Sequence, residues 1–168
     1  MPTSIHYDVD GLADVEHRLL GIGARAIETR PLLEMFAAQL REITQETFES
    51  EGPGWAPLAA STVERKGNST IGRETDAMMD SLTSEGAGHI EEIFGDELVW
   101  GTALTNEEGV PYPAIFHGGR AGQPARPLFE FDSADLRRFT KAVQTYLVMG
   151  DRSEFGVGGF GMSSLVFP

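Results

Sequence analysis

Cysteine is absent from this chain of 168 residues. That absence excludes disulfides, thiolate metal sites and cysteine nucleophiles together. Long apolar runs are missing too, and none approaches the roughly 20 residues that a membrane-spanning helix needs. The first residues, Met1-Pro2-Thr3-Ser4-Ile5-His6-Tyr7-Asp8, hold neither a basic nor an apolar leader region. The expectation is therefore synthesis in the cytoplasm with no secretory signal and no membrane partner. Positive charge is scarce: 13 Lys and Arg stand against 26 Asp and Glu, a net charge of −13. The shortage is concentrated in one place. Residues 74–119 carry 10 acids and no Lys or Arg, residues 1–73 carry 11 acids and 7 bases, and residues 120–168 carry 5 acids and 6 bases. Gripping nucleic acid needs clustered Lys and Arg, so specific nucleic-acid binding is not expected. The acidic middle reads as a solvated surface that keeps the chain soluble, or as the wall of a passage through which DNA slides without sticking. The two are compatible.

Catalytic constellations are missing as well. His6, His17, His89 and His117 are widely separated, and none belongs to a His-Glu-x-x-His arrangement. Glu91-Glu92 and Glu107-Glu108 are adjacent pairs. Neighbouring strand residues point to opposite faces, so Glu91 and Glu92 do not converge on one proton or metal. Gly156-Val157-Gly158-Gly159-Phe160-Gly161 lacks the Lys-Ser/Thr ending of a phosphate loop, and a Gly-x-Ser-x-Gly elbow is absent. No catalytic residue, cofactor site or metal site is assigned.

What is present is a moderately apolar chain, 40% apolar and 23% charged, of a length that suits one domain. Leu12, Val15, Leu19, Ile22 and Ile27 predict a helix over 10–28, weakened by Gly21 and Gly23 at about 1 kcal/mol each. Thr29 or Arg30 with Pro31 starts a second helix, with Leu33, Phe36, Leu40, Ile43 and Thr47 on one stripe. Ser61-Thr62-Val63-Glu64 reads as a capping box for a short helix ending near Gly67. Thr75 reads as the cap of a helix over 76–82 that buries Met78, Met79 and Leu82. The period then changes to two, and residues 89–94 and 97–102 predict a hairpin turning at Gly95-Asp96. An acidic loop follows over 105–111. Ala114–Phe116 is expected as a short strand or turn, and Leu128–Phe131 as another strand. Asp132 or Ser133 caps a long helix to about Met149, with Leu136, Phe139, Val143 and Tyr146 on its buried face and Leu147 beside them. The fold class is α+β: N-terminal helices, a small mostly antiparallel sheet and a long C-terminal helix, in one domain over 1–149.

Residues 150–168 are a Gly-rich arm carrying Phe155, Val157, Phe160, Met162, Leu165, Val166 and Phe167. Such composition does not hold a helix, yet so many large apolar groups are rarely left in water. The arm reads as a frayed tail or, the favoured reading, as a segment packing on a neighbouring subunit or partner. Four residues elsewhere are candidate contacts. Trp55 anchors a loop to the core or meets a subunit, an environment in which Trp is enriched. His117 fixes a turn through a backbone hydrogen bond, or serves as a ligand with a partner not evident in the sequence. Arg126 pairs with the acidic middle of its own chain or of a neighbour, and Phe116 adjoins His117.

Several short motifs follow one another in a fixed order. They are Gly54-Trp55-Ala56-Pro57-Leu58, then Thr62 and Arg65-Lys66-Gly67, then Thr75-Asp76-Ala77-Met78-Met79-Asp80-Ser81-Leu82. Tyr112-Pro113-Ala114-Ile115-Phe116-His117-Gly118-Gly119 and Ala125-Arg126-Pro127-Leu128-Phe129 follow. Over residues 30–148 this series resembles the phage virion morphogenesis family, with Asp76 where a Gly is usual and Pro113 where an Ala is usual. The resemblance implies a structural virion protein, not an enzyme, for tail completion or head-to-tail joining at the neck of a tailed phage. It implies a homo-oligomeric, hexameric ring around the DNA channel, touching neighbouring connector and tail-tube or tail-terminator proteins, assembled in the host cytoplasm. Glu91, Glu92, Glu107 and Glu108 would then face the channel; Phe155, Phe160 and Phe167 lie outside the resemblance and are expected as contacts between subunits from the arm's composition alone. A tail terminator or minor tail protein is the alternative within this class. An acidic-site hydrolase or regulator is the alternative outside it.

Overall fold

Pro31 sits in the first turn of the longest helix, where its missing N–H costs nothing and its fixed φ already matches the helix. That helix is the spine of the molecule. The computed structural model describes residues 11–52 and 54–150, and within them six helices and one antiparallel hairpin make an α+β fold. In chain order these are α1 (Leu12–Ile27), α2 (Arg30–Glu49), α3 (Ala60–Lys66), α4 (Ala77–Thr83), β1 (His89–Phe94), β2 (Glu97–Thr102), α5 (Tyr112–Gly118) and α6 (Ser133–Met149). The expected arm, with Phe155, Phe160 and Phe167, lies outside the described residues.

Two apolar clusters flank α2. Its N-terminal half gives Met35, which packs with Ala142 and Tyr146 of α6, joined by Leu32, Phe139 and Leu147. Its C-terminal half gives Phe48, which packs with Trp55, Ile71, Met78, Leu82 and Leu128. The buried face is wider than the predicted stripe. Leu40, Ile43 and Thr47 are buried as expected, but Met35, Ala37, Gln39, Thr44 and Phe48 are buried too, while Leu33 and Phe36 are half-buried. Elements on more than one side explain this: α2 touches α4, both strands and α6. Phe36 nevertheless stacks on Phe131 and tilts against Phe139, with ring centroids 5.5 and 5.0 Å apart.

The hairpin has the predicted register, His89 opposite Thr102 and Phe94 opposite Glu97. Elsewhere the local rules were overridden. Helix α3 starts at Ala60, because Thr62 and Val63 already donate their N–H groups to Ala59 O. Ser61 is thus inside the first turn, and the predicted Ser61–Glu64 box does not cap. Thr75 does not cap α4 either; Asp76 precedes that helix in a left-handed conformation with no side-chain cap. Ala114–Phe116, expected as strand or turn, lies within α5, where Pro113 occupies the first turn. Leu128–Phe131 forms no strand: the Leu128 N–H is taken by the His117 ring, and Phe129 meets β2 through its side chain on Trp100 rather than through a backbone ladder. On α6, Leu136 is 55% exposed rather than buried, because α2 covers the later turns through Ala142 and Tyr146.

The start of α6 follows the sequence closely. The Asp132 carboxylate accepts from Ala134 N at 2.6 Å and Asp135 N at 2.8 Å, and the Asp135 carboxylate accepts from Asp132 N at 3.1 Å. This reciprocal box satisfies donors that a helix start leaves open. The backbone N–H groups of Asp135 and Ala134 hold the Asp132 carboxyl below its ordinary value. A lowered folded pKa means that the stabilisation is present above the unfolded value and is lost as pH falls through the folded one. Asp132→Asn should therefore melt below the parent at neutral pH. The gap should close in acid as Asp132 takes up its proton, as read from thermal melts across pH.

Candidate assembly interface

A buried cation that forms no ion pair among the described residues organises the site. Arg126 is 5% exposed, and its guanidinium is held by backbone carbonyls. Nε donates to Ala56 O at 3.1 Å, and Nη2 donates to Ala56 O at 2.8 Å and to Pro57 O at 3.4 Å. Its carbon centre lies 5.7 Å from the Phe116 ring centroid, over the face of the ring. Carbonyl oxygens and an aromatic face supply the partial negative charge that a buried guanidinium needs. The Arg126 backbone N–H donates to Phe116 O at 2.9 Å. One residue therefore ties three segments together.

Trp55 closes the same latch from the other side. It is 8% exposed, donates Nε1–H to Pro127 O at 3.0 Å, and meets Phe48 and Phe116 edge to face. Gly52 makes room for it. A Cβ at position 52 would sit 2.1 Å from the indole, and φ is +69°. The His117 ring accepts the Leu128 N–H at Nδ1, 3.1 Å away, and lies 5.3 Å from the Phe129 ring. That geometry puts the ring proton of a neutral His117 on Nε2. The two motifs beginning at Tyr112 and Ala125, together with the one beginning at Gly54, thus form one hydrogen-bonded unit.

Beside this unit runs an open groove of about 810 Å³. Leu58, Met78, Tyr112 and Phe116 give it an apolar side, and Lys66 and Asp76 give it a charged rim. On that rim Arg65 and Glu74 approach to 3.8 Å, and Arg73 Nε donates to Asp76 at 2.8 Å. The Arg73 hydrogen bond lowers the Asp76 carboxyl below its ordinary value. Burial raises the Tyr112 hydroxyl above its ordinary value, so it stays protonated and can donate. Among the described residues no group of three His, Asp or Glu side chains could hold a metal ion. Its lining thus combines apolar side chains with charges of both signs.

Of the residues singled out in the sequence, Trp55, Phe116, His117 and Arg126 come together. Trp55 and Arg126 are engaged inside the chain, Trp55 as the loop anchor, and Arg126 holds backbone carbonyls rather than a carboxylate of its own acidic middle. Phe116 is half-buried and lines the groove. The acidic candidates lie elsewhere. Glu92 is exposed on β1, and Glu107 and Glu108 are exposed on the loop that Asn106 organises by accepting the Glu108 and Val110 N–H groups. Glu91 differs from the other three in being half-buried. Strand alternation turns it to the inner face, opposite Trp100, where it bonds Arg41 and lies 3.7 Å from His89. Tyr112 and Pro124 also line the groove, and nothing in their spacing marks them for it.

The two departures from the resembled pattern have local explanations. Asp76, where Gly is usual, has φ 56° and ψ −3°, the left-handed region that glycine enters without strain. Pro113, where Ala is usual, is in the first turn of α5 and needs no N–H partner there. Protein-family models, curated proteins and solved structures were compared with this chain, and none matched.

Two substitutions test this description. Arg126→Lys cannot reach both carbonyls while stacking on Phe116, and should cost about 2–4 kcal/mol in urea unfolding. At position 76 both Gly and Ala remove the Arg73 pair, but only Gly relaxes the backbone. Asp76→Gly should therefore melt above Asp76→Ala, and the reverse order would remove the strain argument.

Proposed function

We propose that this chain is a structural component of a tailed-phage neck, acting in tail completion or head-to-tail joining as a subunit of a hexameric ring, without catalysis. The observation that carries this reading is the convergence of the ordered motifs. Segments beginning at Gly54, Thr75, Tyr112 and Ala125 meet around one latch and one groove. Motifs that share a site have a common physical reason to occur together. Asp76 in a glycine-like conformation is a second support, because it makes that departure a substitution within one geometry. In the ring, the groove beside Phe116 takes a segment of an adjoining connector or tail protein.

The acidic middle fits the same role. Glu92, Glu107 and Glu108 are exposed and unaccompanied by any Lys or Arg between residues 74 and 119. A ring wall of that charge repels the DNA backbone and lets the genome pass without sticking. The protein would be built in the host cytoplasm and retained at the tail top of the virion.

Electron microscopy of a lysate from a phage lacking this gene tests the proposal. Filled heads and separate tails, with few joined particles, are the expected result. Tails of variable length would move the protein to tail termination, and intact infectious particles would overturn the assembly reading.

A further inference from the structure

Helix α1 meets the body of the chain through Gly21, Ile22 and Arg25, its half-buried positions. Arg25 Nε donates to Leu147 O at 2.7 Å and Nη2 donates to Val148 O at 3.1 Å, so α1 is fastened to the C-terminal end of α6. The helix contributes no buried residue. Its large apolar side chains are exposed instead: Leu12 63%, Val15 52%, Leu19 62%, Leu20 67% and Ile27 85%. At 3.6 residues per turn, Leu12, Leu20 and Ile27 lie roughly 140–160° around the axis from Arg25. Helix α1 therefore holds α6 with its glycine and arginine flank and turns its apolar arc outward. A 16-residue helix with two interior glycines is marginal by itself, so an uncovered arc is an incomplete structure.

The sequence contains a segment that matches the arc. After Gly150, Asp151-Arg152-Ser153-Glu154 is a polar spacer, and then large apolar residues alternate with small ones: Phe155 and Val157, Phe160 and Met162, Leu165 and Phe167. The first two pairs, Phe155 with Val157 and Phe160 with Met162, fall on opposite phases of an extended chain. Gly158-Gly159 between them is where the backbone can turn over so that both pairs meet one surface. At about 3.3 Å per residue, residues 155–162 would span up to about 26 Å. Helix α1, with 16 residues, is about 24 Å long. We propose that the outward arc of α1 is the seat for residues 155–167 of a neighbouring copy of this chain.

The neighbour is the proposed source, because Gly150, where the described chain ends, lies beside Arg25 on the flank of α1 away from the arc. A pairing of two α1 helices would leave the apolar residues of the segment uncovered. A seat on one side and an arm on the other are the two unlike faces that a heterologous contact requires, and rotation closes such contacts into a ring. The inference rests on the ring reading and supplies its joint.

The absence of cysteine makes the test direct. Chains carrying Leu19→Cys and Phe160→Cys are mixed and oxidised, alongside each variant alone and a chain carrying both, with light scattering on the parent. Leu19 is exposed, so its replacement should leave the melting temperature unchanged. Expected are covalent pairs in the mixture at tenfold or more over either variant alone, and a ladder from the double variant. A fast-migrating product closed within one chain would overturn the proposal in favour of a self-covering arm. Efficient pairing of Leu19→Cys with itself would overturn it in favour of two α1 helices. No cross-link while the parent still oligomerises would overturn the seat and leave the ring reading standing. No cross-link from a parent that stays monomeric would overturn both.

Discussion

The fold near its centre depends on Arg126. Residues 54–59 and 124–131 contribute no helix or strand, so their backbone groups lack a ladder to satisfy them. A planar guanidinium solves this, because its fork reaches Ala56 O and Pro57 O at once while its face lies on Phe116. Trp55 answers in the opposite direction by donating to Pro127 O. The two side chains cross-brace loops about 70 residues apart in the chain, and each is buried by the contacts the other secures. Without them the groove would have no fixed wall, since Phe116, Leu58 and Pro124 are positioned by these loops.

Helix α2 distributes that order through the rest of the molecule. Its C-terminal half packs on the latch through Phe48, and its N-terminal half packs on α6 through Met35. Gln39 adds a polar tie, donating Nε2–H to Asp135 O at 3.1 Å close to the box that starts α6. Arg138 reaches back from α6 to Glu42 at 3.0 Å. Helix α1 stands outside both clusters and is tied to α6 by Arg25. Among the described residues there is thus a packed centre and a peripheral helix whose apolar side they leave uncovered, a distribution that agrees with the proposed assembly role.

Charge is arranged along the same division. The bases of the N-terminal helices and of α6 are partly spent on local pairs, Arg30 with Glu34, Arg41 with Glu91 and Arg138 with Glu42. The hairpin and the loop after it have no base of their own, and apart from Glu91 their acids point to solvent. Exposed pairs of this kind contribute little to stability. Their larger consequence is the field of the surface they leave behind, negative around Glu92, Glu107 and Glu108.

Sequence alone determined what local rules control. The proline start of α2, the two-residue period of the hairpin and the Asp132 cap of α6 each depend on residues within a few positions, and each appeared where expected. So did the opposite facing of Glu91 and Glu92. Tertiary structure decided the rest. Helix α3 starts after Ala59, whose carbonyl accepts from Thr62 and Val63, and Ala114–Phe116 is helix with the buried Pro113 in its first turn. Leu128–Phe131 carried the composition of a strand, but the His117 ring takes the Leu128 N–H, and Phe129 meets β2 through its side chain. The site was legible as a list of motifs, not as a place. Its identity as one latch and one groove arises from hydrogen bonds between carbonyls and side chains some 70 residues apart, and no spacing in the sequence encodes that distance.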